Sequence, residues 1–232
     1  MEGIIAMAKA RGILVVVDNT FTTPAAYLPL AAGADITVHS VTKLLAGHSD
    51  ATLGYVATQD PDLRRQINDA NVTWGLTPSP FDCWLAERGL HSFHLRHRAA
   101  QDNARRLADA LADMPGVAKV LYPTRSDHPD HNRAVALLGG QGGNMVSFAL
   151  HGGREAANLL TRAAPDIAFA PTLGDIGTTL SHPPSSSHRG LTPEGRAALG
   201  ITEGFFRVSV GVEDADLLIS ELRTAVAAAT AT

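Results

Sequence analysis

Ile13-Leu14-Val15-Val16-Val17-Asp18 and Ile36-Thr37-Val38-His39-Ser40 decide the fold class of this chain. The first is a short, wholly apolar and mostly β-branched run that ends on a carboxylate. A strand covered on both faces in a parallel sheet reads this way, without the polar alternation of a half-exposed strand. The second run is again β-branched and ends on polar residues. Between them, Ala25 to Ala32 reads as helical and closes at Gly33. Upstream, Ile4 to Ala10 has the pattern of an amphipathic helix, with Gly12 as its stop signal. Downstream, Gly54 to Ala57 reads as a third strand. Strands alternating with crossover helices give α/β architecture.

Further along, the character changes. Asp82 to Met114 is mostly helical in pattern, and Pro115-Gly116 stops it. Val117 to Tyr122 and Met145 to Leu150 read as strands, with a helix from about Arg154 to Thr161 after them. Phe205 to Val210 alternates like a half-buried strand, and Asp214 stands where the N-cap of a last helix, Ala215 to Ala229, is expected. This places a partial large domain with a parallel-rich sheet over residues 1–90 and an α+β domain over residues 91–232. Residues 1–89 supply few strands for an open α/β sheet. The first part is therefore expected to be the back end of a larger domain, with apolar sheet edges left exposed.

Composition narrows the function. The 232 residues carry a net charge of −4, with 45% hydrophobic and 18% charged residues. That balance suits a packed globular chain. It provides no basic field for nucleic acid, and no apolar run is long enough to span a membrane. Cys83 is the single cysteine, so an internal disulfide is impossible and a reducing, cytoplasmic setting is expected. Cys83 reads as a small buried hydrophobe. Trp74 and Trp84 read as core or interface anchors. The histidine pairs His128/His131, His182/His188 and His39/His48 lack the third and fourth ligands that zinc normally takes, so no metal is expected.

The chemistry gathers at the strand ends. Ligands of open α/β sheets bind beyond the carboxyl ends of strands. Asp18 follows the first run; Ser40, Thr42 and Lys43 follow the second. Taken singly, Asp18 is a turn or cap residue, Lys43 a solvated loop residue, and the hydroxyls caps for the next segment. Taken in order, they offer an amine able to form a Schiff base, a carboxylate able to keep a pyridine nitrogen protonated, and hydroxyls able to donate to a phosphate.

These stretches resemble a known family. Val16-Val17-Asp18-Asn19-Thr20-Phe21, Gly33 to Lys43, and Gly47-His48-Ser49-Asp50 are similar to the site region of the trans-sulfuration, or Cys/Met-metabolism, enzymes that use pyridoxal 5′-phosphate (PLP). The likeness continues through Pro80-Phe81-Asp82, Arg88-Gly89-Leu90, Ser126 to His131, Leu173-Gly174-Asp175, Ser181-His182-Pro183 and Phe206 to Asp214. It implies the fold type I PLP-dependent transferase architecture, truncated at the N-terminus, and a dimeric or tetrameric homo-oligomer. It implies that Lys43 carries the cofactor and shuttles protons, and that Asp18 partners the pyridine nitrogen. Ser40 and Thr42 would bind the phosphate, with Thr20 and Val41 beside them. Arg207 would grip the carboxylate of an amino-acid substrate, a task suited to its planar fork. Thr172 would stand near that carboxylate, where many relatives have serine.

The implied activity is carbon–sulfur lysis or γ-replacement in methionine, cysteine and homocysteine metabolism. Leu173-Gly174-Asp175 leans toward the methionine-lyase and sulfhydrylase branches. Gly177-Thr178-Thr179 departs from the acidic residue that several lyases carry there. A PLP aminotransferase is a weaker reading. From a different class comes the alternative of a catalytically inactive, truncated chain that serves only as an assembly partner.

Overall fold

A computed structural model describes residues 1–231. Its contacts separate two units, one over Met1–His94 and one from Leu95 onward. The first unit opens with helix α1 (Glu2–Lys9), strand β1 (Val16–Asp18) and the short helix α2 (Thr23–Ala26). Strands β2 (Ile36–Ser40) and β3 (Gly54–Thr58) come next, then helix α3 (Pro61–Trp74) and the start of helix α4 (Pro80–Ala112). The sheet order is β1-β2-β3. β1 and β2 run parallel, with Asp18 opposite Val38. β3 returns antiparallel, with Gly54 opposite Ser40. Within this sheet the parallel pairing is thus confined to β1 and β2, and in the second unit two short strands, Ala168–Phe169 and Thr179–Ser181, also pair parallel.

The structure corrects several expectations here. Ile13 and Leu14 are not in the strand, and β1 is not covered on both faces. Only Val17 is buried, packed with Ile5 and Ala34, while Ile13, Leu14 and Val16 are each more than half exposed. β1 lies at the edge of its sheet, so the apolar run has one neighbour instead of two. The helix expected over Ala25 to Ala32 stops at Ala26, because Pro29 disfavours helical backbone in the residue before it. Cys83 is exposed instead of buried, and Trp74 and Trp84 are exposed, which removes the core reading of the two and leaves the interface one.

The second unit holds the rest of α4, β4 (Val117–Leu121), α5 (His131–Leu138), β5 (Met145–Leu150) and α6 (Gly153–Ala163). Next come the short strands β6 (Ala168–Phe169) and β7 (Thr179–Ser181), a 3-10 turn (Pro183–Ser185), α7 (Pro193–Ala198), β8 (Phe205–Ser209) and α8 (Ala215–Thr230). The sheet order is β4-β5-β8-β7-β6. Side chains alternate between faces along a strand. One face therefore presents Val146 and Phe148 of β5, Leu180 of β7, and Phe206 and Val208 of β8. These pack with Leu107 and Leu111 of α4, Leu160 of α6, and Leu222 and Val226 of α8. Asp214 caps α8 as its position suggests, its Oδ1 accepting from the Asp216 and Leu217 amides. β8 is central, so it is buried on both faces, not half-buried as its alternation implies. Arg207 is its one partly exposed residue.

Candidate active site

In the first unit the predicted residues gather at one end of the sheet. The parallel register of β1 and β2 brings their carboxyl ends together. There the Thr20 hydroxyl donates to Asp18 Oδ1 at 2.6 Å, and the Thr20 amide donates to the same oxygen at 2.9 Å. The Ser40 amide in turn donates to Thr20 Oγ1 at 2.9 Å. One buried threonine thus ties the end of β1 to the end of β2. Its two bonds hold the Asp18 carboxyl below its ordinary pKa, helped more weakly by the neighbouring His39 and opposed by partial burial. His39 is buried and stacked on Tyr55 at 4.7 Å, and its burial pushes its own pKa down.

Lys43 sits in the turn after β2, its amide bonded to the Ser40 carbonyl at 3.2 Å. Gly47 closes that turn with a bond to the Lys43 carbonyl at 2.8 Å and takes a positive φ of 79°. Thr42 is engaged elsewhere than expected. Its hydroxyl donates to the Leu53 carbonyl at 3.2 Å and accepts from the Leu53 amide at 3.0 Å. Its own amide also reaches that carbonyl. A hydroxyl has one proton, so Thr42 would have to release Leu53 before donating to a phosphate. The Val41 side chain is buried with Leu44, Leu45, Ala46, Ala86 and Phe93, which leaves its backbone as what it can offer a ligand. Gly89 of α4 lies directly on this turn. A Cβ there would stand 2.3 Å from the Ala46 carbonyl oxygen.

In the second unit, Arg207 pairs with Ser147 on one side and Ser181 on the other. These three share the sheet face opposite the apolar core. The Nε of Arg207 is buried and makes no hydrogen bond, and burial lowers the guanidinium pKa. A buried donor without an acceptor costs stability, so the position suits a ligand that brings one. Thr172 begins the segment facing Ser209. The Gly174 amide donates to Ser209 Oγ at 2.8 Å, and Asn144 Nδ2 donates to the same oxygen at 3.1 Å. Glu213 clamps the far end of the segment by accepting from the Thr178 hydroxyl at 2.9 Å and from the Thr178 amide. Asp175 accepts from the Gly177 amide, a turn-forming role.

Sequence reasoning misses two features of these clusters. The part played by Glu213 is visible in sequence only as an acid next to the Asp214 cap. His182 reads in sequence as half of a histidine pair without further metal ligands, yet it is buried. Its Nε2 faces the Glu203 carbonyl at 2.8 Å and its Nδ1 faces Ser185 Oγ at 2.9 Å. Glu203 itself is held by Arg154 and by Arg196. Among the described residues, no three His, Cys, Asp or Glu side chains cluster as a metal would require.

The family model for Cys/Met metabolism PLP-dependent enzymes matches residues 1–227. Cystathionine gamma-lyase of Saccharomyces cerevisiae is 39% identical over 225 residues, which are 96% of this chain and 57% of that protein. O-succinylhomoserine sulfhydrylase of Pseudomonas aeruginosa is 38% identical over 222 residues, 96% of this chain and 55% of that protein. The crystal structure of cystathionine gamma synthase from Xanthomonas oryzae pv. oryzae in complex with cystathionine superposes with a TM-score of 0.94 at 39% identity. That match covers all of this chain and 59% of the other. The chain spans somewhat more than half the length of these relatives.

Proposed function

Since the chain belongs to the Cys/Met metabolism PLP-dependent enzymes, we propose that it takes part in carbon–sulfur lysis or γ-replacement on amino acids of methionine and cysteine metabolism. One observation carries the reading. An ionised carboxylate, Asp18, is fixed at the end of β1 and bridged through Thr20 to Ser40, three residues before Lys43. The residues present fit pyridoxal phosphate. The bonds to Asp18 land on Oδ1, so Oδ2 is open to a protonated pyridine nitrogen. The Ser40 hydroxyl suits a phosphate oxygen, and the buried Nε of Arg207 suits a carboxylate.

When bound, the cofactor supplies an electron sink for charge developing on the substrate. Everything else falls to the protein's own groups. The ε-amine of Lys43 is the point of attachment, and once displaced it is the base that removes the α-proton and returns it further along the substrate. Asp18, held ionised, keeps the pyridine nitrogen charged. Arg207 grips the α-carboxylate through parallel N–H bonds, and the Thr172–Thr178 segment, pinned by Ser209 and Glu213, lies beside its strand. A dimer or tetramer of identical chains is the proposed assembly, supported by the exposed apolar side chains Val72, Trp74, Leu76, Phe81 and Trp84.

The test is to add pyridoxal phosphate to the purified chain, reduce with borohydride and map the modified peptide by mass. Attachment at Lys43 and its loss in Lys43→Ala are expected. Incubation with cystathionine, methionine, or O-acetylhomoserine plus sulfide should then give thiol, keto-acid or replacement products. A chain that stays colourless and unmodified would instead be an inactive assembly partner.

A further inference from the structure

Thr20 makes a set of bonds that no role in holding phosphate explains. Its hydroxyl has one proton and two lone pairs. The proton goes to Asp18 Oδ1 at 2.6 Å, and one lone pair takes the Ser40 amide at 2.9 Å. The Thr20 amide adds a second bond to the same Asp18 oxygen at 2.9 Å. One oxygen of Asp18 is therefore held twice, and Oδ2 receives no bond from the described residues. The carboxylate cannot turn about its Cβ–Cγ bond without breaking both. Thr20 is itself locked, being buried and joined to the next strand through Ser40.

We propose that Thr20 is a positioning residue that fixes the rotation of the Asp18 carboxylate, so that Oδ2 alone is presented to the pyridine nitrogen of pyridoxal phosphate. This rests on the reading of Asp18 as the cofactor's partner. The lowered carboxyl pKa of Asp18, with the Thr20 side-chain bond as its largest cause, agrees with the geometry. Serine retains the hydroxyl. Valine keeps the shape and removes both the proton and the acceptor. Thr20→Val therefore loses the side-chain hold on Asp18 together with the tie to Ser40, Thr20→Ser keeps both, and the Asp18 titration reads the hold on the carboxylate alone.

The experiment compares the full chain with Thr20→Val, Thr20→Ser and Asp18→Asn by two measurements. The first follows the side-chain carboxyl of Asp18 by carbon-13 NMR titration in cofactor-free protein. The second is the dissociation constant for pyridoxal phosphate from its visible absorption. Thr20→Val is expected to move the Asp18 titration to higher pH and weaken cofactor binding roughly tenfold, the loss of one hydrogen bond to a charged group. Thr20→Ser should restore both. An unmoved Asp18 titration in Thr20→Val, or a Thr20→Ser variant as impaired as Thr20→Val, overturns the proposal. Unchanged cofactor affinity in Asp18→Asn overturns instead the assignment of Asp18, and the cofactor-free titration still judges the hold of Thr20 on it. Should Thr20→Val not fold, a wild-type Asp18 that titrates at or above the ordinary carboxylate value is itself enough to reject the idea.

Discussion

Arg207 shows how much one side chain can be asked to do. On a central strand, between Ser147 and Ser181, with a buried Nε lacking an acceptor, it is poorly explained by stability alone. Arg207→Ala should leave pyridoxal phosphate attachment intact and raise KM for the amino acid by roughly ten- to a hundredfold, as expected for a lost charge-assisted pair. Loss of the cofactor's colour in that variant would place Arg207 in another role. His182 makes a different prediction. Burial is the first cause of its lowered pKa, outweighing the opposing Glu203 carbonyl, and Arg154 and Arg196 also disfavour its charged form. A base whose folded-state pKa lies below its unfolded value binds fewer protons when folded. Its contribution is complete above about pH 6.5 and is lost as pH falls toward the folded value. Buried His39 has the same sign. Melting temperatures taken from pH 7.5 down to 5.5 should therefore decline, and His182→Gln should decline less steeply. An equally steep fall would mean that His182 does not titrate with folding. At this scale the site is legible in sequence as residue types at strand ends. That the Thr42 hydroxyl bonds Leu53, and that Val41 faces a core, cannot be read there. Both depend on which way a turn carries its side chains, and periodicity says nothing about turns.

Among the elements, legibility tracks the strength of the apolar pattern. β5 and α8 match their expected spans because each lays a continuous apolar stripe on one core. α3 goes unmarked because it buries no residue at all, so no period betrays it. Its signal is local: Asp60 accepts from the Asp62 and Leu63 amides, Pro61 opens the first turn, and Gly75 closes it with positive φ. β6 and β7 are too short to carry an alternation. β1 misleads for the opposite reason, since a strongly apolar run implies two sheet neighbours where the edge supplies one. A tight element-to-element fit concerns α4. Gly89 lets that helix approach the Ala46 carbonyl, and a Cβ would stand 2.3 Å from its oxygen. Backbone is what it would strike, so relief requires the helix or the Lys43 turn to move. Gly89→Ala gains helix propensity of about 1 kcal/mol yet should destabilise the unit and weaken pyridoxal phosphate attachment at Lys43. A variant more stable than the wild type, with unchanged attachment, would refute this close contact.

At the level of the whole molecule, charge and composition exclude partners better than they name any. The net charge is −4, and among the described residues no helix is long and apolar enough to cross a membrane. The proposed self-association is checked by light scattering. A monomer at every concentration would argue against it, and Trp84→Ser should shift any oligomer toward smaller species. The two units meet in sequence at His94 and Leu95, within the unbroken helix α4. Domains are ordinarily joined by an exposed, irregular tether, and proteases need such a segment to thread through their clefts. Here the tryptic sites at Arg96 and Arg98 lie inside helical backbone. Brief digestion of the native chain should accordingly fail to release either half, and early cuts should fall in loops such as the one holding the exposed Arg189.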